Sequence, residues 1–303
     1  MSRTALILGS SGKIGRHSVA AFTRAGWTVR SYDRKRANMV SAAEGVDVIV
    51  NGLNPPSYHD WARQVPAITK QVIEAAQTSG AAVIVPGNVY NLDAAGGEWS
   101  EHTRHAPTTR KGRIREEMEQ AYRASGIRTI ILRAGNFIDP EHNGDVMSLL
   151  LLRNIAAGKL TAAGDPNEMQ AYCYVPDWAR AAVALAEIRD RLDPFEDVPF
   201  PGHSFTVEQL RTFLSGELGR TLQITQFPWW ALSLTAPLWE LAREMREMRY
   251  LWSVPHTLSG EKLARLLPEF VPTPIRQVML AGLPDGLASS SALARQSAPL
   301  SGA

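Results

Sequence analysis

Thr4-Ala5-Leu6-Ile7-Leu8-Gly9-Ser10-Ser11-Gly12-Lys13-Ile14-Gly15 is the stretch that decides the fold. Its first five residues form a short, mostly apolar run and read as a buried parallel strand. Three glycines follow at intervals of three. Gly9 permits a tight turn, and Gly12 lets the backbone approach a pyrophosphate with no Cβ in the way. Gly15 lets the next helix sit close to the sheet. Gly15, Val19 and Phe22 fall at helical spacing, and Gly26 stops that helix. The free N–H groups at its start would face phosphates.

Working outward, the same alternation repeats. Residues 28–32 read as a second strand, and 46–50 as another that ends in Asn51-Gly52. A helix is expected over 58–78, closed by Gly80, then a strand over 82–85 stopped by Pro86-Gly87. Ile114, Met118, Ala121 and Tyr122 mark a helix face closed by Gly126, and 128–132 read as a further strand. Strands alternating with helices imply right-handed crossovers. The expected fold is α/β: a doubly wound parallel sheet of the Rossmann type with a smaller C-terminal α/β substrate lobe. Thirteen residues, 33 to 45, separate the second strand from the next, enough for one short helix over 37–44. An outer edge strand is therefore expected to be missing, leaving the adenine side shallow.

After Phe137 the rhythm loosens. Pro176-Asp177 starts an amphipathic helix carrying Trp178, Ala181, Ala182 and Leu185. A helix from 205 and a strand over 222–226 come next, then one long helix with Leu234, Leu238, Leu241, Met245, Met248 and Trp252 along a face. Glu240, Arg243, Glu247 and Arg249 fill its other faces. Such a stripe packs on its own lobe or on a second subunit, so a homodimer is entertained. The division expected is a dinucleotide-binding domain over 1–190, a smaller substrate or interaction lobe over 191–290 with part of 138–172, and a mobile tail over 291–303.

Composition narrows the function classes. The 303 residues are 45% hydrophobic and 20% charged, ordinary for a globular chain. With 32 basic and 30 acidic side chains the net charge is +2, which gives no electrostatic reason to expect nucleic acid or a membrane as partner. Residues 229–239 are too few to cross a bilayer. A single cysteine and no leader pattern after Met1 fit a cytoplasmic setting.

The G-x-x-G-x-x-G spacing resembles that of the extended and atypical short-chain dehydrogenase/reductases, the NAD-dependent epimerase/dehydratase family. Further segments match in order. Val46-Asp47-Val48-Ile49-Val50-Asn51 looks like the family's strand that passes the cofactor ribose. Val89-Tyr90 resembles its V-Y pair, and Leu132-Arg133-Ala134-Gly135-Asn136-Phe137 its L-R-x-x-N-[VF] strand end. Tyr174-Val175-Pro176-Asp177-Trp178-Ala179 is similar to its V-x-D-[VL]-A helix start. The likeness covers about residues 4–190.

The resemblance implies an NADP or NAD site built from Gly9, Ser10, Ser11, Gly12, Lys13, Ile14, Gly15, Asp33, Arg34, Asn51, Gly52, Leu53, Pro86, Gly87, Asn88, Lys111 and Asn136. Asp33 stands where a carboxylate would take the adenosine ribose and favour NAD. Arg34, Lys35 and Arg36 would hold a 2′-phosphate, and this run tips the reading to NADP. The family's proton relay uses Ser or Thr, Tyr, and a Lys four residues after the Tyr. Here Lys111 matches the lysine, whereas Pro107 and Pro86 stand at the tyrosine and serine positions. Neither proline exchanges a proton. Lys111 and Tyr90 are the expected catalytic residues, with His102 and His105 as other proton carriers near the mouth. These histidines with Glu98 and Glu101 form too local a cluster for a metal, and none is expected. The implied activity is an NAD(P)-dependent oxidoreductase or epimerase acting on a carbonyl or alcohol of a small, sugar-nucleotide-like substrate. The alternative is a non-catalytic NAD(P)-binding redox sensor.

Overall fold

In the computed structural model, which describes residues 3–141, 144–284 and 287, the elements follow the expected alternation. They are β1 (Thr4–Leu8), α1 (Lys13–Arg24), β2 (Thr28–Ser31), α2 (Met39–Ala42), β3 (Val48–Asn51), α3 (Trp61–Ser79), β4 (Ala82–Gly87), β5 (Gly97–Trp99), α4 (Arg110–Ala124), β6 (Thr129–Arg133) and β7 (Asn136–Ile138). The chain continues through β8 (Lys159–Ala162), β9 (Gln170–Tyr174), α5 (Val175–Ile188), β10 (Phe195–Pro199), β11 (His203–Phe205), α6 (Val207–Leu218), β12 (Gln223–Gln226), α7 (Trp229–Thr235), α8 (Glu240–Glu247), β13 (His256–Leu258), α9 (Glu261–Leu266) and α10 (Ile275–Ala281).

Six parallel strands form the main sheet in the order β10-β6-β4-β3-β1-β2. Side chains alternate across it because the strand repeat is two residues. Ala5, Ile7, Val48, Val50, Ile130 and Leu132 face α1 and α5, where Phe22, Trp178, Ala181 and Leu185 cover them. Leu6, Leu8, Ile49, Val83, Val85 and Ile131 face the other way, onto Val65, Val72, Ile114, Met118 and Tyr122 of α3 and α4. Both faces are covered, which is why the strands read as continuous apolar runs. A third core joins Ile138, Met147, Leu151, Leu160, Tyr172, Phe205, Leu210, Leu214 and Val278 in the smaller lobe.

The chain leaves β1 toward β2 on one side and returns as β3 on the other. This reversal is a topological switch point, and ligands of open α/β sheets bind outside the carboxyl ends of the strands there. The short link after β2 holds only α2, so β2 is the outer edge, as its length implied.

Three expectations change. β4 does not stop before Pro86-Gly87 but carries both, paired to Leu132 and Arg133 of β6. Its pairing with β3 has already ended at Ile84, so the missing proline N–H is no loss to the ladder. β10 lies beyond residue 190 yet joins the main sheet beside β6, drawn there by the crossover through α5. The single long helix after 228 is absent. It breaks into α7, α8 and a 3-10 turn over Met248–Ser253. Pro237 falls in the break, where it removes an N–H and crowds the preceding turn. Leu234 and Leu238 are then 73% and 96% exposed, so the first part of the apolar stripe does not pack on its lobe, whereas Met248 is buried and Trp252 packs on the lobe's core. The expected tail over 291–303 lies outside the described residues. Among those residues, no helix is long and apolar enough to cross a membrane.

Candidate functional site

The glycine loop sits at the carboxyl end of β1, and its packing explains each glycine differently. Gly9 has φ +70°, the left-handed region, and a Cβ there would lie 2.9 Å from the Gly52 carbonyl oxygen. A Cβ on Gly15 would come within 2.1 Å of the Gly9 oxygen. Both are needed for α1 to press on the loop. Gly12 is different. Its nearest neighbour to a built Cβ is the Gly9 oxygen at 3.4 Å, so the space in front of it is a cradle that a side chain would fill. Gly12 is the N-cap of α1 and no side chain caps that end. The first-turn N–H groups of a helix have no intrahelical partner, and they carry its positive end. An uncapped start behind an open glycine cradle suits a pyrophosphate.

Around the cradle, Ser10 is half-buried and Ser11 exposed, while Ile14 anchors α1 in the core. Lys13 donates from Nζ to the Gly144 carbonyl at 2.6 Å, and burial holds its pKa below the usual lysine value despite Asp145 and Asp139 nearby. Arg16 pairs with Glu141, and His17 lies 2.8 Å from Asp139. The segment after β7 is thus tied to α1. Asn51 turns its amide inward, donating to the Tyr122 hydroxyl at 3.1 Å, and its oxygen accepts from the Leu53 N–H. At the end of β2, Asp33 accepts from the Lys35 N–H at 2.9 Å and lies 3.4 Å from the Arg36 guanidinium. Its carboxylate already serves its own turn, and Arg34 stands exposed beside it.

Asn88 caps the turn after β4 by accepting from the Tyr90 N–H at 3.1 Å. Gly87 passes close to β6, where a Cβ would meet Ile131 at 2.6 Å. Asn136 is half-buried at the start of β7. Gly112, in the first turn of α4, lets that helix press on the Tyr90 carbonyl and on Pro107, both of which a Cβ would strike. Thr109 caps α4 by accepting from the Gly112 N–H. The outcome is that Lys111 and Tyr90, 21 positions apart in sequence, belong to one side-chain cluster around Tyr58.

Tyr58 is the centre of that cluster. Its hydroxyl is 3.4 Å from the Tyr90 hydroxyl, and the Lys111 ammonium lies 5.0 Å from its ring centre. The neighbouring Tyr90 and burial hold the Tyr58 phenol well above its ordinary value, so it stays protonated. Ser57, Tyr58 and Asp60 all have positive φ, at 54°, 60° and 46°. Such conformations cost energy in non-glycine residues and persist where the surroundings fix them. Tyr250 stands nearby, its phenol pushed up to about 12 by burial and by Tyr90.

The other side of the cluster comes from α8. Lys111 is fully buried, and its Nζ pairs with Glu244 and, at 2.7 Å, with Glu247. Glu247 also accepts from the Lys111 backbone N–H at 2.8 Å. Burial would raise the Glu247 carboxyl, yet the bonds from Lys111 hold it below the usual carboxylate value. Arg110 reaches Glu244 at 2.5 Å, and His59 meets Glu240 at 2.8 Å. Glu240, Glu244 and Glu247 follow the i, i+4, i+7 spacing of one helix face. This acidic stripe clasps the basic row His59, Arg110 and Lys111. Sequence reasoning missed Tyr58, Glu244 and the role of Glu247. The acidic spacing was the available signal.

The other expected proton carriers lie elsewhere. His102 is on an exposed loop, 3.7 Å from Glu101. His105 faces Asn91 and Glu119. His105, Glu119 and Asp197 do offer ligand atoms within 4.8 Å of one another. The fully buried Arg133 already fills that space, donating to Glu119 at 2.8 Å and to Asp197 at 2.6 Å. The cluster is a buried ion network joining β6, α4 and β10.

Comparison with known proteins agrees with this architecture. Residues 67–198 match the model of the NAD dependent epimerase/dehydratase family. The fold is similar to MoeE5 solved with UDP-glucuronic acid and NAD: 18% identity, TM-score 0.71, covering 97% of this chain and 100% of that one. It is also similar to the UDP-glucuronic acid 4-epimerase of Bacillus cereus solved with UDP-glucuronic acid and NAD, at 15% identity and TM-score 0.72, covering 97% and 99%. A putative epimerase from Burkholderia cenocepacia matches at 18% identity and TM-score 0.73, covering 95% and 99%. No curated protein sequence matches. The family resemblance read from the motifs is met by the family model, and the expected Rossmann sheet with a C-terminal lobe by the solved structures.

Proposed function

We propose that this chain, which carries the NAD dependent epimerase/dehydratase pattern over residues 67–198, binds NAD or NADP at its glycine loop and acts on a carbonyl or alcohol of a small, sugar-nucleotide-like molecule. The observation that carries the reading is the Gly12 cradle in front of the uncapped start of α1, at the switch point of the sheet. Gly9, Ser10, Ser11, Gly12, Lys13, Ile14 and Gly15 would line the phosphates. The backbone at Asn51, Gly52, Leu53, Pro86, Gly87 and Asn88, with Asn136, would follow the cofactor toward the pocket of Lys111. The cofactor, when bound, supplies hydride transfer. The chain's own residues supply the proton chemistry. Tyr90 would move the proton, with the protonated Tyr58 hydroxyl 3.4 Å away as hydrogen-bond donor to its oxygen and Lys111 beside them as the fixed cation.

Arg34 and Arg36 favour NADP, since Asp33 is held by its own turn rather than free to take a ribose. The test is a fluorescence titration with NADH and NADPH, followed by turnover with aldehydes, ketones and nucleotide sugars. Gly12→Val should lower affinity for both cofactors while leaving thermal unfolding unchanged. Unaltered affinity would remove the dinucleotide reading.

A second reading rests on a specific observation. The Lys111 ammonium is fully engaged by Glu244 and Glu247, and prolines stand at 86 and 107. A non-catalytic NAD(P) sensor that reports through α8 would have those features. Cofactor binding without turnover of any carbonyl or alcohol, but with a change in protease cleavage near α8, would select it.

A further inference from the structure

The net charge of +2 conceals a segregation by face. Glu244 and Glu247 of α8 are spent inward on Arg110 and Lys111, and Glu240, at the exposed end of the helix, is paired with His59. Arg243, Arg246 and Arg249 remain exposed. Beside them stands the largest unburied apolar group of the described chain. Trp230, Leu234, Leu238 and Trp239 are 69%, 73%, 96% and 49% exposed, and α7 buries none of its residues.

Basic and apolar groups are physically interleaved here. Arg249 lies 5.6 Å over the Trp229 ring and lines, with Trp230 and Leu234, a cavity of about 670 Å³. Arg243 donates to the Ala236 carbonyl between α7 and α8. Arg153 stacks 5.8 Å over Phe227 on the same rim. Two acids border this face: Glu240 near Arg243, already paired with His59, and Asp165 across an adjoining cavity, where it accepts from the Asn167 N–H.

We propose that this face docks reversibly on an anionic lipid surface. Tryptophan and leucine side chains that project outward, ringed by arginines, match the apolar band and charged headgroups of such a surface. Arginine stems cover apolar area while their heads reach the phosphates. A symmetric second copy would set this basic rim against its own like, which electrostatics opposes. α7 has seven residues and lies on the surface; it does not span.

The test uses the full chain with phosphatidylcholine vesicles, with and without phosphatidylglycerol. The protein should sediment with the anionic vesicles only, be released by added salt, and shift its tryptophan emission to the blue. Trp230→Ser with Leu238→Ser, or Arg246→Glu with Arg153→Glu, should weaken binding by about tenfold or more, with unchanged melting because these side chains are exposed. The proposal is overturned by failure to sediment with either vesicle, or by equal binding to both. It is also overturned by a concentration-dependent dimer that Leu238→Ser abolishes with no response to lipid, which would assign the face to a second copy.

Discussion

The glycine loop and the Lys111 pocket lie on the same rim of one sheet but are built in opposite ways. The loop uses backbone: three glycines within seven residues, a turn and a helix start. The pocket uses side chains from four segments, Tyr58, Tyr90, Lys111 and the pair Glu244 and Glu247, which no local pattern links. A backbone site is specified by what is missing at each position, so its rule is steric and local. A side-chain site depends on which distant segments the tertiary fold brings together, and on whether each charge arrives with its partner.

The comparison breaks most severely at Gly15. A Cβ there would lie 2.1 Å from the Gly9 oxygen, a backbone atom that cannot yield. Gly15→Val should destabilise the protein by on the order of 4 kcal/mol or more and abolish cofactor binding, as chemical denaturation and titration will show. Gly12→Val, with its cradle open, should separate binding from folding. If both variants unfold alike, the distinction between packing glycine and cradle glycine is wrong.

The next effect belongs to the pocket. Lys111→Met leaves Glu244 buried with only Arg110 as cation, and breaking a buried pair in this way costs about 3–5 kcal/mol. Adding Glu244→Gln and Glu247→Gln to Lys111→Met should restore much of the lost melting temperature without restoring any activity. Recovery of both would mean that the lysine serves the clasp alone.

What was legible in the sequence follows the same division. Strands β1 to β4 and β6, α1, the short link to β3 and the absent outer strand were readable because periodicity and glycine placement are local. The helix drawn through Leu234, Leu238 and Leu241 was misread because a 3.6-residue spacing continued across Pro237, and the proline prevailed. Glu240 and Glu247 were read only as filling the other faces of that helix, because nothing local says that Lys111 and Arg110 wait opposite the acids of α8. Arg133 looked like part of a strand-end motif and is in fact the centre of a buried network.

A smaller effect sharpens the loop side. Arg34→Ala with Arg36→Ala should weaken NADPH more than NADH by about 1–3 kcal/mol, measured by titration. Equal weakening would return the cofactor choice to Asp33.

The smallest effect is at the outer end of the clasp. Glu240 raises the His59 pKa through their hydrogen bond, and the same bond lowers that of Glu240. The histidine's contribution is complete below its unfolded value and is lost as pH rises through its raised folded value. That of the glutamate is complete above its unfolded value and is lost as pH falls through its lowered one. The contact is therefore strongest between about pH 4.5 and 6.5. Both groups are solvent-exposed, so the melting profile of His59→Gln should differ from the parent only slightly, and most within that window. Identical profiles at every pH would show that α8 is held by Glu244 and Glu247 alone.

The thinness of the link between β2 and β3 has a consequence for how the molecule survives at high concentration. β2 is the sheet's outer edge, four residues long, with Thr28, Arg30 and Ser31 exposed. An open rim of a sheet is where another chain's strand can add and start a fibre. A rim this short, with a positive charge at its middle, offers an incoming strand too few rungs and a repelling one among them. The fold has left off a strand without leaving behind a template for aggregation.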